Sequence, residues 1–223
     1  MKFFIIALFT ILTTYNANAA GQFEFYYGSE TGNFYVKEID TELDADIDAA
    51  INKFGFTFEQ FFTGTQKYHI SFLSKSISYS NSNAEFSDND LSESDVKLAW
   101  AYASGNFQFD IGIIQRSYFY FEVVSNSLVE FNSDKLRTPF INIAYVFEMW
   151  GYYWGLEAFY HPESESEQSN KVSSLNYQFN VYKQFGGVRF GLNYLVVQND
   201  ITTDQLEINR NSQGLGLELI FLF

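Results

Sequence analysis

The sequence predicts an all-β chain, a closed antiparallel transmembrane β-barrel of about ten strands, with eight or twelve as the neighbouring solutions. Three observations lead there. First, the segment Gly214 to Phe223 alternates strictly: Leu215, Leu217, Leu219, Phe221 and Phe223 share one face, while Gly214, Gly216 and Glu218 share the other. Second, similar alternation recurs along a chain that is 20% aromatic and holds only two prolines, a balance suited to pleated strands. Third, no stretch after the N-terminal region supplies the ~20 uninterrupted apolar residues that a spanning helix needs. A bilayer is open to this chain only through strands.

The chain divides into a leader and one domain. Lys2 precedes the apolar run Phe3 to Leu12, and Ala17-Asn18-Ala19 offers small residues at a cleavage point, so residues 1–19 read as an export signal peptide and 20–223 as the barrel domain. An anchoring helix is the weaker reading, because roughly ten apolar residues at 1.5 Å each reach about half of a ~30 Å hydrocarbon core.

The first strand begins near Gln22 with Phe23, Phe25 and Tyr27 on one face and runs toward Val36 through an irregular patch at Gly28 to Gly32. Residues 39–53 read as a loop. Phe54, Phe56, Phe58 and Phe62 define a second strand, the turn Thr63 to Gln66 follows, and Tyr68, Ile70 and Phe72 define a third. After a polar loop over 81–94, Val96, Leu98, Trp100 and Tyr102 form the fourth strand, Ser104-Gly105-Asn106 turns, and Phe107, Phe109, Ile111 and Ile113 form the fifth. A loop over 122–136 leads to Ile141, Ile143, Tyr145 and Phe147. The Trp150-Gly151 turn then leads to Trp154, Leu156, Ala158 and Tyr160. Beyond a loop at 161–171, Leu175, Tyr177, Phe179 and Val181 make the eighth strand, and Lys183 to Gly187 reverses the chain. Val188, Phe190, Leu192, Tyr194 and Val196 make the ninth, and loop 198–212 feeds the terminal strand. Short turns thus alternate with long polar connections, the asymmetry of transmembrane barrels.

Charge follows the same division. The formal net charge of −14 disfavours nucleic acid, whose phosphates attract Lys and Arg. The acid gathers in the polar connections: Glu38, Asp40, Glu42, Asp44, Asp46 and Asp48 in one run, residues 85–95 in a second, and Glu163, Glu165 and Glu167 in a third. With no cysteine, the chain has neither disulfides nor thiolate metal ligands.

The face opposite the apolar one predicts the lumen. Glu24, Glu59, Lys75, Lys97, Asp110, Arg116, Glu157, Arg189 and Glu218 point inward as a mixed-charge network, with Asn176, Gln178, Asn180 and Asn193 between them. Tyr26, Phe61, Tyr153, Phe159 and Tyr182 add bulk, and small residues such as Gly112, Gly191, Gly216, Ala99 and Ala101 suit a crowded interior. A narrow barrel filled in this way reads as plugged, because small barrels are just wide enough for their own side chains. A charge-selective narrow pore is the alternative.

The terminal strand ending on Phe223, with the alternation and the turn asymmetry, resembles the small Gram-negative outer-membrane β-barrels of the OmpA/OmpX-type class. The resemblance covers the whole mature chain, although its one sharp motif is that last strand. It implies residence in the outer membrane beside lipid and lipopolysaccharide, with the short turns in the periplasm. It also implies insertion by the barrel-assembly machinery, which recognises strands such as Leu215, Leu217, Leu219, Phe221 and Phe223. The implied role is structural or surface-interacting, toward a ligand the sequence does not name. A narrow porin or transporter for small solutes is the alternative.

Catalytic and metal motifs are sparse. His69 and His161 are the only histidines; His69 reads as an inward residue near the short-turn end, and His161 as the start of a loop where His161-Pro162-Glu163-Ser164 offers a weak Ser/His/acid pattern. The segment from Asp44 superficially resembles an EF-hand loop, but Ala49 and Gly55 occupy the positions of its glycine and its bidentate glutamate. No cofactor, metal or enzymatic activity is expected.

Overall fold

A computed structural model describes residues 21–39, 44–80, 91–125 and 128–223; the leader predicted over 1–19 lies outside them. Ten strands form one closed antiparallel barrel: β1 (Gly21–Glu38), β2 (Asp44–Phe61), β3 (Gln66–Ser80), β4 (Leu91–Ser104), β5 (Phe107–Ser125), β6 (Leu128–Met149), β7 (Tyr152–Glu165), β8 (Lys171–Phe185), β9 (Val188–Thr202) and β10 (Leu206–Leu222). Each strand pairs with its sequence neighbours, and β10 closes the ring on β1 from Gln22↔Leu222 to Glu38↔Leu206. The closure extends to the chain end, where the Gly21 amide donates to the Phe223 carbonyl at 2.7 Å and the Phe223 amide returns to Gly21 at 3.0 Å. A closed ladder leaves no backbone edge facing lipid.

The tight reversals at one end follow from local chemistry. Trp150 and Gly151 both have positive φ (57° and 69°), the conformation that a two-residue hairpin turn requires. Gly105 and Gly186 provide the same left-handed geometry at two more turns.

The connections at the opposite end correct the sequence-based reading. Segments 39–53, 122–136, 161–171 and 198–212, expected to be loops, are largely strand: β2 starts at Asp44, β5 and β6 run to Ser125 and from Leu128, β7 reaches Glu165, and β10 begins at Leu206. β4 likewise begins at Leu91, inside the expected loop 81–94, of which residues 81–90 lie outside the described set. The patch from Gly28 to Gly32 is also regular, in unbroken register with both neighbours. The asymmetry between the two ends therefore lies in strand length. β6 has 22 residues, whereas a spanning strand needs about 9–11.

What changes along each strand is which face is apolar. Near the short turns the outward face carries Phe62, Phe107, Trp150, Phe185, Phe190 and Phe223, all more than half exposed, and above them Leu98, Ile113, Leu156, Leu192 and Leu217 continue the apolar belt. Higher up, the outward positions turn polar at Ser29, Asn52, Gln115, Arg137, Gln198 and Gln213. At the same heights the inward face turns apolar. Phe34, Ile47, Ile51, Ile77, Tyr118, Leu136, Val172, Ile201, Leu206 and Ile208 join one buried cluster inside the ring. The lower strands have the pattern of a wall in lipid; the upper strands have that of a water-soluble barrel around an apolar core.

Two further features fix the shape. Cα atoms of β5 and β10, on opposite sides of the ring, come within 8 Å of each other across the interior. Between β6 and β7 the ladder runs from Met149↔Tyr152 to Ile141↔Tyr160 and then stops. Extended by two residues, that register sets Pro139 against Pro162, the only two prolines of the chain. Neither has an N–H to donate, so no hydrogen-bonded pair forms there.

Side chains close this seam instead. The Asp134 carboxylate on β6 accepts from Tyr118 Oη (2.9 Å), Asn170 Nδ2 (2.9 Å), the Gln168 amide (3.3 Å) and Ser166 Oγ. The Thr138 and Ser164 hydroxyls meet at 2.5 Å, and the Glu167 amide reaches the Lys135 carbonyl at 2.9 Å.

Candidate functional site in the barrel lumen

The interior has three levels. The lowest, nearest the short turns, is acidic. Glu24, Glu59, Asp110, Glu157 and Glu218 reach it from β1, β2, β5, β7 and β10. Glu59 pairs with Lys67 at 2.5 Å, and His69 Nδ1 stands 3.9 Å from the same carboxylate. Asp110 accepts from Gln108 (2.8 Å) and Asn142 (2.9 Å), while Glu218 Oε1 accepts from Asn193 (2.6 Å) and Gln178 (3.0 Å). Glycines make room for the aromatic bulk at this level. A Cβ at Gly28 would stand 2.1 Å from Tyr26 Oη, one at Gly216 2.5 Å from the same ring, and one at Gly191 2.4 Å from Tyr182. Gly28 and Gly216 are register partners, so together they form the groove in which Tyr26 lies.

The middle level is an ion-pair lattice. Lys75 contacts Asp95 at 3.1 Å and Glu93 at 3.6 Å; Arg116 holds Asp95 through Nε (2.8 Å) and Nη2 (3.3 Å). Arg116 also spans the lumen, with Nη1 3.1 Å from Asn199 Oδ1 on β9 and 3.3 Å from His161 Nε2 on β7. Arg210 on β10 reaches Glu93 on β4 at 2.6 Å and the Phe119 carbonyl on β5 at 3.3 Å, while Glu93 accepts the Phe119 amide at 3.2 Å. Those bonds satisfy the β5 backbone where its described pairing with β4 has ended at Ser94↔Ser117. Lys53 pairs with Glu30, and the Lys97 ammonium sits 4.1 Å above the Phe159 ring and 5.8 Å from that of Phe140. Buried charges require such pairing, since an uncompensated one is strongly destabilising.

The uppermost level is the apolar cluster. Arg210 links it to the lattice by stacking 4.7 Å over Phe34. Below the cluster lies a cavity of about 230 Å³, lined from Glu24 and Glu59 up to Lys75, Asp95 and Arg116, with Leu195 and Val197 as part of its apolar wall.

Of the nine charged residues expected in the lumen, eight line this cavity: Glu24, Glu59, Lys75, Lys97, Asp110, Arg116, Glu157 and Glu218. Arg189 lies apart, bonded to Gln184 at 2.8 Å and stacked 4.9 Å over Tyr153 near the β8–β9 turn. The sequence-based reading missed Glu30, Lys53, Lys67, Glu93, Asp95 and Arg210. Glu30, Lys53, Glu93 and Arg210 lie in segments read as irregular or loop, yet each has the same odd or even parity as the inward residues recognised on its strand. His161 is not a loop residue: it is fully buried on β7. Its ring nitrogens face Arg116 and the Pro162 carbonyl, and the Ser164 hydroxyl turns to Thr138 and Pro162 instead, so the expected Ser/His pattern is not assembled.

Among solved structures, the chain is similar to the outer membrane protease OmpT from Escherichia coli, with a TM-score of 0.50 at 9% identity, covering 95% of this chain and 99% of that one. An outer membrane channel from Pseudomonas putida F1 matches with a TM-score of 0.46 at 10% identity over 94% of this chain and 97% of that one. Ail, the attachment invasion locus protein of Yersinia pestis, matches with a TM-score of 0.31 at 11% identity over 89% and 98%. No family model and no curated protein sequence matches the chain. The fold is that of the Gram-negative outer-membrane β-barrels, and it does not carry the protease's chemistry with it.

Proposed function

We propose that this protein is a resident of the Gram-negative outer membrane with a closed lumen. On this reading it is exported by its leader, inserted by the barrel-assembly machinery through the terminal strand, and works through the collar of strands that stands outside the lipid. The short turns face the periplasm, and the long strand ends face the exterior among lipopolysaccharide sugars. Its role is structural or surface-interacting, without catalysis.

One observation carries the reading: the upper lumen is filled by side chains from opposite walls. Phe34, Ile77, Tyr118, Leu136, Ile201 and Ile208 are each no more than 2% exposed, which supports an interior without a water path at that height. Beneath them Arg210 ties strands across the ring through its ion pair with Glu93, and Arg116, paired with Asp95, does so through its hydrogen bond to Asn199. The outside of the collar is hydrated and charged, with Asp46, Asp48, Lys135, Arg137 and Glu207 exposed on it. The charged cavity below favours a second reading, a narrow path for small solutes.

Planar-bilayer recording separates the two. The purified barrel is expected to give no stable unitary conductance in 1 M salt. Reproducible, voltage-independent openings would replace the closed barrel with the solute path.

A further inference from the structure

The charges of the lumen are not shared evenly between its levels. In the middle level every carboxylate has a basic partner: Glu30 has Lys53, Glu93 has Arg210 and Lys75, and Asp95 has Arg116 and Lys75. In the lower level Glu59 alone is paired, with Lys67 and His69. Glu24, Asp110, Glu157 and Glu218 have no basic side chain within 4.0 Å among the described residues, although all four line one cavity of about 230 Å³. Burying anionic oxygens without a counter-charge is costly, so such a surplus either takes up protons or draws a cation, and Lys97 on the same cavity supplies only one further positive charge.

A second observation points the same way. Asn142 and Glu218 are 6% and 5% exposed and both line the cavity, yet Asn142 Oδ1 and Glu218 Oε2 have no hydrogen-bond partner. The other ends of both groups are fixed, Asn142 Nδ2 on Asp110 and Glu218 Oε1 on Asn193 and Gln178. Both free atoms are acceptors. Buried acceptors ordinarily find a donor, and neither atom has one within hydrogen-bond distance.

The arrangement also selects the kind of cation. Among the described residues no three His, Cys, Asp or Glu side chains stand close enough to hold a metal ion. The unpaired carboxylates come instead from β1, β5, β7 and β10, spread around the ring, with Leu195 and Val197 between the polar positions of the wall. We propose that the lower lumen is a binding chamber for a small organic dication, two protonated nitrogens joined by a short methylene chain. One ammonium group takes Glu218 Oε2 with Glu24, the other takes Asn142 Oδ1 with Asp110 and Glu157, and the methylenes lie against the aliphatic wall. Spaced ammonium groups suit separated carboxylates as a single ion does not. The chamber is independent of whether the upper lumen conducts, so a conductance result leaves it standing or falling on its own test.

That test is calorimetric titration of the full barrel in nanodiscs at pH 7 and low salt, with 1,4-diaminobutane as the probe and 1-aminobutane and magnesium chloride as comparators. The diamine is expected to bind one to one, roughly tenfold or more tighter than the monoamine, the factor that one additional charge-assisted hydrogen bond supplies. Glu157→Gln and Glu218→Gln should each weaken it by a similar factor, whereas Glu163→Gln, on an exposed side chain, should leave it unchanged. Asn142→Asp adds a carboxylate to the chamber and should tighten binding, and it decides the matter if either glutamine variant fails to fold. No saturable diamine binding, equal affinity for the monoamine or for magnesium, or indifference to these substitutions would overturn the proposal.

Discussion

Arg116 ties together more of the lumen than any other single side chain described. It leaves β5, grips Asp95 on β4 through two nitrogens, and extends Nη1 to His161 on β7 and Asn199 on β9. Replacing it with alanine removes a ligand from three strands and leaves Asp95 with Lys75 alone. Arg116→Ala should therefore lower the unfolding free energy by about 3–5 kcal/mol, the cost of breaking a buried pair from one side, read from urea unfolding in detergent micelles. A loss of under about 1 kcal/mol would show that the lattice is solvated and carries little load. Lys97 makes the contrast. Its ammonium lies against the Phe159 and Phe140 rings, with no carboxylate within 4.0 Å among the described residues, so Lys97→Met keeps the contact with Phe140 and Phe159 and removes a desolvated charge. That variant should stay within about 1 kcal/mol of the parent, or exceed it.

The strands were legible in the sequence wherever the outward face met lipid. Phe54, Phe56 and Phe58, or Ile111 and Ile113, announce a wall because large apolar side chains recur at every second position. Above the lipid the same strands continue with polar residues outside and Ile47, Ala49 and Ile51, or Leu206 and Ile208, inside. A search for outward aromatics reads that inversion as a loop. Parity was the missing signal, since the inward series recognised near the short turns carries up into β1, β2, β4 and β10 unchanged; on β7 the bulge between His161 and Ser164 shifts it, bringing Ser164 inward. The β6–β7 seam was legible in the same way: the Trp150-Gly151 turn sets a register that aligns Pro139 with Pro162. No sequence rule places Asp134 under the 166–170 connection, because that contact depends on how two hairpins lean together. Asp134→Ala should release this connection, accelerating amide exchange at Gln168 and Asn170 by roughly tenfold or more, about 1.4 kcal/mol of local opening, with exchange in the β1–β2 hairpin unchanged. Equal protection in the two proteins would mean that the seam is held elsewhere.

At the scale of the whole molecule, one closed ladder serves two solvents. Lipid faces an apolar belt around a charged lumen, and water faces a polar collar around an apolar core, with the buried ion pairs between them. Lowering the polarity of the core with height while raising that of the wall lets strands as long as the 22 residues of β6 remain regular beyond the bilayer. That inversion is directly measurable, because the chain holds no cysteine. Glu207 and Ile208 are adjacent on β10, the first exposed and the second 1% exposed inside the ring. Single substitutions Glu207→Cys and Ile208→Cys, treated on intact cells with a membrane-impermeant maleimide, are expected to differ completely: Glu207→Cys labels at once, and Ile208→Cys labels only after the barrel is unfolded. Equal labelling of the two, or none at Glu207→Cys, would contradict an apolar-cored collar standing outside the membrane.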